Sequence, residues 1–241
     1  MARTIIRGFT IIEVMLFLSI TGFLFVALMV GVNTSVNQQR YRDSVNSFAG
    51  ALQQQYAEVS NTRNDRDDGW RCAASVVEQD PVSGQARGTT NCVVLGRYVR
   101  TIDNGAQIES GVIIGTEPPS GTVMASDTAA LNAYSPRAST FETTAYTPEW
   151  GAALRDKDGH PANFTVLILR SPLSGIMRVF AAPGPMPSQL TDMMTSDAAV
   201  QKIRTCIVAD GWLTGPAQAV VLDAATAGPN GVSVVGEGSQ C

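Results

Sequence analysis

One histidine, His160, serves all 241 residues, which excludes a multi-histidine metal centre and leaves little material for histidine-based catalysis. Charge is sparse as well. Asp, Glu, Lys and Arg make up 16% of the chain, below the roughly 25% of an average globular protein, so a disordered polyelectrolyte is excluded. The 17 basic residues do not outnumber the 21 acidic ones, and the net charge is -4. A general nucleic-acid binder needs a basic surface to neutralise phosphates, so nucleic acid is not an expected partner. No proline precedes Pro81, the four cysteines form no CxxC pair, and no GxSxG nucleophile elbow occurs. What the chain does have is apolar material. At 44% of residues it suffices for a packed core in one good-sized domain or two small ones.

That material is unevenly spread. Residues 9–32 read FTIIEVMLFLSITGFLFVALMVGV, a run of 24 in which Glu13 is the only ionisable side chain. As a helix the run would be about 36 Å long, enough to cross a hydrocarbon layer about 30 Å thick. The preceding MARTIIRG carries Arg3 and Arg7 and no acid. This predicts a single pass through the cytoplasmic membrane, amino terminus inside and the rest exported. A cleaved secretory signal fits less well, because its apolar core would be shorter and Val30-Gly31-Val32-Asn33 is a poor small-x-small site. A plain anchor leaves Glu13 unexplained. A carboxylate in an apolar helix costs a few kcal/mol unless it is partnered, and the next basic residue is Arg40. Its compensation is therefore expected from outside its own helix, with a neutral Glu near the bilayer edge as the plainer alternative.

Gly8-Phe9-Thr10-Ile11-Ile12-Glu13-Val14, after a short basic leader and before the apolar run, resembles the amino-terminal motif of type IV pilins and pseudopilins. Five features coincide: leader charge, small residue, Phe, Glu spacing and apolar run. The resemblance is direct only over these segments. It implies that a prepilin peptidase cuts between Gly8 and Phe9 and methylates the new amine on Phe9. It also implies that Glu13, fifth in the mature chain, pairs with that amine on a neighbouring subunit during filament assembly. Such a pair at about 4 Å and an effective dielectric near 20 attracts by about 4 kcal/mol before desolvation is subtracted. The implied partners are the prepilin peptidase, other pilin subunits in a homo- or heteropolymer, the pilus assembly platform with its ATPase machinery, and the cytoplasmic membrane. Many members of that family carry a proline in the second half of the apolar segment; here Gly22 and Gly31 are the only local weak points.

Past Val32 the pattern turns amphipathic. Tyr41, Val45, Phe48, Leu52, Tyr56 and Val59 recur at steps of three and four. Between them lie Asn37, Gln38, Arg40, Asp43, Asn46, Gln53 and Glu58, a face expected to meet water or neighbouring subunits. A coiled-coil dimer is a weaker reading, since fewer than four heptads are present without clear flanking charge pairs. One helix is expected to run from about Phe9 to Ser60, ending in the polar cluster of residues 61–69. Beyond it, strands are predicted over 71–77, 92–102, 107–115, 164–170, 176–182, 205–208, 217–222 and 232–235. A helix is predicted over 188–203, with Leu190, Met193, Met194, Val200 and Ile203 mainly inward, and 116–150 is expected to be a long loop. The expected fold is α+β and pilin-like: a long amino-terminal helix packed on an antiparallel sheet. The expected segments are a leader (1–8), a transmembrane and filament-core helix (9–32), an amphipathic stalk (33–60) and a β-rich head (61–241).

Cys72, Cys92, Cys206 and Cys241 allow three pairings, and export makes disulfides plausible. Locality favours Cys72–Cys92 and Cys206–Cys241, and the second would match the carboxy-terminal disulfide loop of pilins. Four thiolates around a metal are the rival, disfavoured by the missing CxxC. Other candidate chemistry is thin. Asn64-x-Arg66-x-Asp68-Gly69 and Asp156-Lys157-Asp158-Gly159 only partly fit a calcium loop. Ser171, Ser174 and His160 are close in sequence without a nucleophile motif. Arg97 and Arg100 flank Tyr98, as a solvent-facing strand edge would, and Trp70, Trp150 and Trp212 read as core or loop anchors. The expectation is a structural filament subunit, with no enzymatic activity, cofactor or metal. Its 233 mature residues lean towards a minor pilin. Major pilin and secretion pseudopilin are the near alternatives, and a membrane-tethered enzyme or receptor is the distant one.

Overall fold

A computed structural model describes residues 10–62, 70–73, 76–79, 85–86, 88–139, 143–209, 218–236 and 241. The expected leader 1–8, Phe9, residues 63–69 of the polar cluster and Trp212 lie outside them. The chain is α+β: one long apolar-to-amphipathic helix followed by antiparallel sheets.

Helix α1 spans Ile11–Ser60, 50 residues without a break, as expected where neither proline nor a turn cluster interrupts the run. Its two halves behave differently. Residues 11–36 are all exposed, whereas Tyr41, Val45, Phe48, Leu52, Tyr56 and Val59 are each 0–2% exposed. Burying Val45, Phe48 and Leu52 contributes about 1.5–3 kcal/mol each. Asn37, expected on the wet face, is buried as well.

Among the described residues the head holds three sheets, all antiparallel. Strands β1 (Trp70–Ala73) and β2 (Val76–Gln79) pair with one another, so the single strand expected at 71–77 reverses on itself. The largest sheet runs β5-β4-β3-β8-β9, with β6 also on β4. These are β3 (Cys92–Ile102), β4 (Gln107–Thr116), β5 (Arg137–Ala138), β6 (Thr144–Tyr146), β8 (Phe164–Arg170) and β9 (Met177–Pro183). The third runs β12-β11-β10-β7, from β7 (Ala152–Arg155), β10 (Lys202–Ala209), β11 (Gln218–Asp223) and β12 (Val232–Val235). Strand β7 was not among the predicted strands.

The second half of α1 shares one core with both large sheets. Alternation along β8 explains how the central strand serves two faces. Val166 and Ile168 join the helix core, while Leu167 and Leu169 face a second cluster with Leu131, Phe180, Leu190 and Met193. That second cluster is covered by two segments read differently from sequence. The loop expected at 116–150 contains helix α2 (Asp127–Ala133), β5 and β6. The helix expected at 188–203 is instead two short 3-10 turns, Leu190–Met193 and Ala198–Val200, followed by strand from Lys202. Thr195 Oγ1 accepts from the Ala198 N–H at 3.2 Å, a local bond that competes with helix continuation. Leu190, Met193 and Met194 are still buried, but Val200 is 63% exposed and Ile203 belongs to the other core.

Candidate functional site

The most unusual surface on the molecule is the first half of α1. From Ile11 to Val36 every residue is exposed among the described residues. After Glu13 no ionisable side chain occurs until Arg40. The helix is long and apolar enough to cross a membrane and lies near the amino terminus. The hydroxyls of Ser19, Thr21 and Thr34 are satisfied within the helix. Ser19 Oγ donates to the Met15 carbonyl at 2.7 Å, Thr21 Oγ1 to Phe17 at 2.8 Å, and Thr34 Oγ1 to Val30 at 3.0 Å. Over the run that ends at Val32 these internal bonds suit a helix in hydrocarbon, and the polar Asn33 and Ser35 follow beyond it.

Glu13 sits at the tip of this helix, where its carboxylate also takes part in the cap. Thr10 and Glu13 form a capping box: the Glu13 N–H donates to Thr10 Oγ1 at 3.3 Å, and Glu13 Oε2 accepts from both the Thr10 N–H and its hydroxyl at 3.0 Å. The Thr-x-x-Glu spacing is the sequence signature of that box. These donors are neutral, so they orient the carboxylate without cancelling its charge. Among the described residues no basic group pairs with it. Gly8 and Phe9, the expected cleavage and methylation residues, lie outside the described residues.

The head end of α1 is tied down by polar contacts as well as by packing. The Tyr41 hydroxyl donates to the Ile207 carbonyl at 2.8 Å and accepts from the Gln218 N–H at 2.7 Å, bridging β10 and β11. Arg97 and Arg100 are not on a strand edge, because β3 lies between β4 and β8. Arg97 donates to Gln55 Oε1 at 2.8 Å and pairs with Glu58 at 2.8 Å. Arg100 pairs with Glu109 at 2.8 Å, and the same carboxylate accepts from the Tyr98 hydroxyl. Burial, reinforced by Glu109, pushes the Tyr98 phenol up to about 12. Both guanidiniums are engaged with carboxylates rather than presented to a phosphate backbone.

Two disulfides join Cys72 to Cys92 and Cys206 to Cys241, the pairing that locality favoured. They exclude the four-thiolate metal reading. Cys206 is buried in the middle of β10, so the carboxyl terminus is fastened to an inner strand.

The remaining candidates do not converge. Ser171 donates to Asp127 at 2.8 Å, and Arg178 pairs with the same carboxylate at 2.7 Å, pinning α2 to the turn between β8 and β9. Bonds from Ser174 first, then Arg178 and Ser171, hold Asp127 well below the ordinary carboxylate range, at about 2. His160 is exposed and stands beside Asp156 at 3.5 Å. In the Asp156–Gly159 turn, Asp156 Oδ1 accepts from the Asp158 and His160 N–H groups, and Lys157 neutralises Asp158. Residues 64–69 of the other candidate lie outside the described residues. Among the described residues, no group of three or more His, Cys, Asp or Glu is placed to hold a metal ion. A cleft of about 460 Å³ opens at the end of α1, and its charged lining, Glu58 and Arg97, is already mutually paired. Comparison with protein-family models, curated proteins and solved structures finds no match.

Proposed function

We propose that the chain is a type IV pilin-like structural subunit. In this reading a prepilin peptidase cuts between Gly8 and Phe9, and the mature protein waits in the cytoplasmic membrane on its apolar helix. An assembly platform and its ATPase machinery then polymerise it, with like or unlike subunits, into a surface filament. The apolar halves of α1 bundle in the filament core and the disulfide-bonded heads form its outside. The role is structural, with no catalytic activity assigned, and a minor subunit is favoured by the size of the head.

The observation that carries this reading is the exposed helix half, residues 11–36, ending in a carboxylate whose charge nothing in the described chain cancels. Thr10 and Glu13 would both survive cleavage, so the capping box would persist beside the new Phe9 amine. A neighbouring amine would supply the missing counter-charge, and a mis-stacked subunit would leave it buried and alone.

Cells producing only Glu13→Ala should process the protein normally yet yield few sheared surface fibres containing it. Wild-type fibre yield from that variant would remove the proposed pairing. Gly8→Leu should block processing; normal maturation of that variant would remove the peptidase assignment.

A further inference from the structure

A tryptophan stands where the apolar half of α1 gives way to the head. The turn Glu149–Gly151 lies beside the first turns of the buried half. Ser44 Oγ donates to the Glu149 carbonyl at 3.1 Å, and Ser47 Oγ donates to its carboxylate at 3.3 Å. At the centre of this turn Trp150 adopts φ 61° and ψ 24°, a left-handed conformation that is costly for a bulky residue. Its side chain is not hidden: Trp150 is 51% exposed. The Arg40 guanidinium stacks over the indole, 4.7 Å from the ring centre. Among the described residues, the indole N–H and the guanidiniums of Arg40 and Arg42 meet no hydrogen-bond acceptor on the protein. The acids nearby are Asp43 and Glu149, and Glu149 is turned towards Ser47.

Position along the helix says what such a group could meet. Arg40 follows Val32 by eight residues, about 12 Å along the axis. The headgroup layer extends about 5–7 Å beyond the hydrocarbon. Helix side chains lean towards the amino terminus, so the Arg40 stem points back towards the apolar half with its guanidinium over the Trp150 ring. An arginine stem of about 6 Å spans the difference. Trp and Arg are also the side chains that settle at this level, the indole in the interface and the guanidinium on phosphate.

We propose that Trp150 and Arg40 form a membrane-interface anchor, lodged in the headgroup layer on the exported face and seating the head on the bilayer before assembly. The occupant is a phospholipid surface, because Arg40 lies about 12 Å past the end of the apolar run at Val32, which puts its guanidinium within reach of the headgroup layer. The proposal rests on the reading of that run as a membrane span.

The test uses the full chain in vesicles of phosphatidylethanolamine and phosphatidylglycerol carrying brominated acyl chains, with tryptophan emission as the readout. Bromines near the headgroups should quench a component of wild-type emission, and Trp150→Phe should abolish that component. Arg40→Ala should weaken it. Phe25→Trp in the Trp150→Phe background reports the span separately and should be quenched by bromines near the bilayer centre. Equal shallow quenching in wild type and Trp150→Phe, with Phe25→Trp quenched deeply, would overturn the anchor and leave the span intact. No deep quenching of Phe25→Trp would overturn the span and the anchor with it.

Discussion

Glu13 shows how a hydrogen bond and a counter-charge differ. Two bonds from Thr10 hold its carboxylate at 3.0 Å, yet both come from neutral donors and the negative charge stays. The capping box starts the helix; pairing with a cation is a separate requirement. Tyr41 plays a different part, because its hydroxyl bridges β10 and β11 at Ile207 and Gln218, the end pair of their register. Tyr41→Phe keeps the ring and strands both backbone groups, which should cost about 1–3 kcal/mol. Urea unfolding of the detergent-solubilised chain should show a lower midpoint with an unchanged slope; an unchanged midpoint would contradict the role. Asp127 gives a pH prediction with a definite sign. Its pKa falls from 3.8 to about 2 in the folded protein, so its stabilising effect is fully present above about pH 4 and is lost as pH falls towards 2. Protection of α2 amides in hydrogen exchange should decline through that window in the wild type, and Asp127→Asn should flatten the decline.

The elements that sequence reveals are those whose residues carry their own instructions. Helix α1 ends at Ser60 as read, because the apolar stripe stops at Val59 and polar turn formers follow. Strands β3, β8 and β12 keep their expected bounds, since β-branched runs there meet Gly, Asn or Pro at their edges. Where order comes from distant cover, it was illegible. Helix α2 is seven residues long and is held by burying Ala130 and Leu131, while Ser126 caps it with a bond to the Ala129 N–H. Arg97 looked like a solvated strand residue because its partners Gln55 and Glu58 lie on another element. The site divides in the same way. Glu13 and the apolar run were legible from residue type alone, whereas Trp150 came beside Arg40 only through folding. Gly96 tests the close packing of β3 on β8. A Cβ there would collide with the Ile168 carbonyl oxygen and stand 2.8 Å from the Leu169 Cα, at a point where the β3–β4 register already shifts. Gly96→Ala should destabilise the chain by about 1–3 kcal/mol in the same urea assay; a neutral result would mean that β8 can withdraw.

At the scale of the whole molecule the described chain divides into an exposed apolar helix half and a disulfide-bonded head. The Cys206–Cys241 bond closes a separation of 35 residues, which in the chain-entropy account stabilises by about 4 kcal/mol. Replacing both cysteines with serine should lower the unfolding midpoint by a comparable free energy, and reductant should then shift the variant less than the wild type. Equal reductant sensitivity in the two proteins would place the stabilisation in the Cys72–Cys92 bond instead. The central claim concerns the other end of the chain, where an uncompensated carboxylate on a bare apolar helix is taken to await a processed neighbour. Intact-mass measurement of the protein extracted from membranes of its native host addresses that claim most directly. The account predicts a chain beginning at Phe9 and carrying one additional methyl group on its amine. A chain that retains Arg3 and Arg7, with no trace of the shorter species, would contradict it.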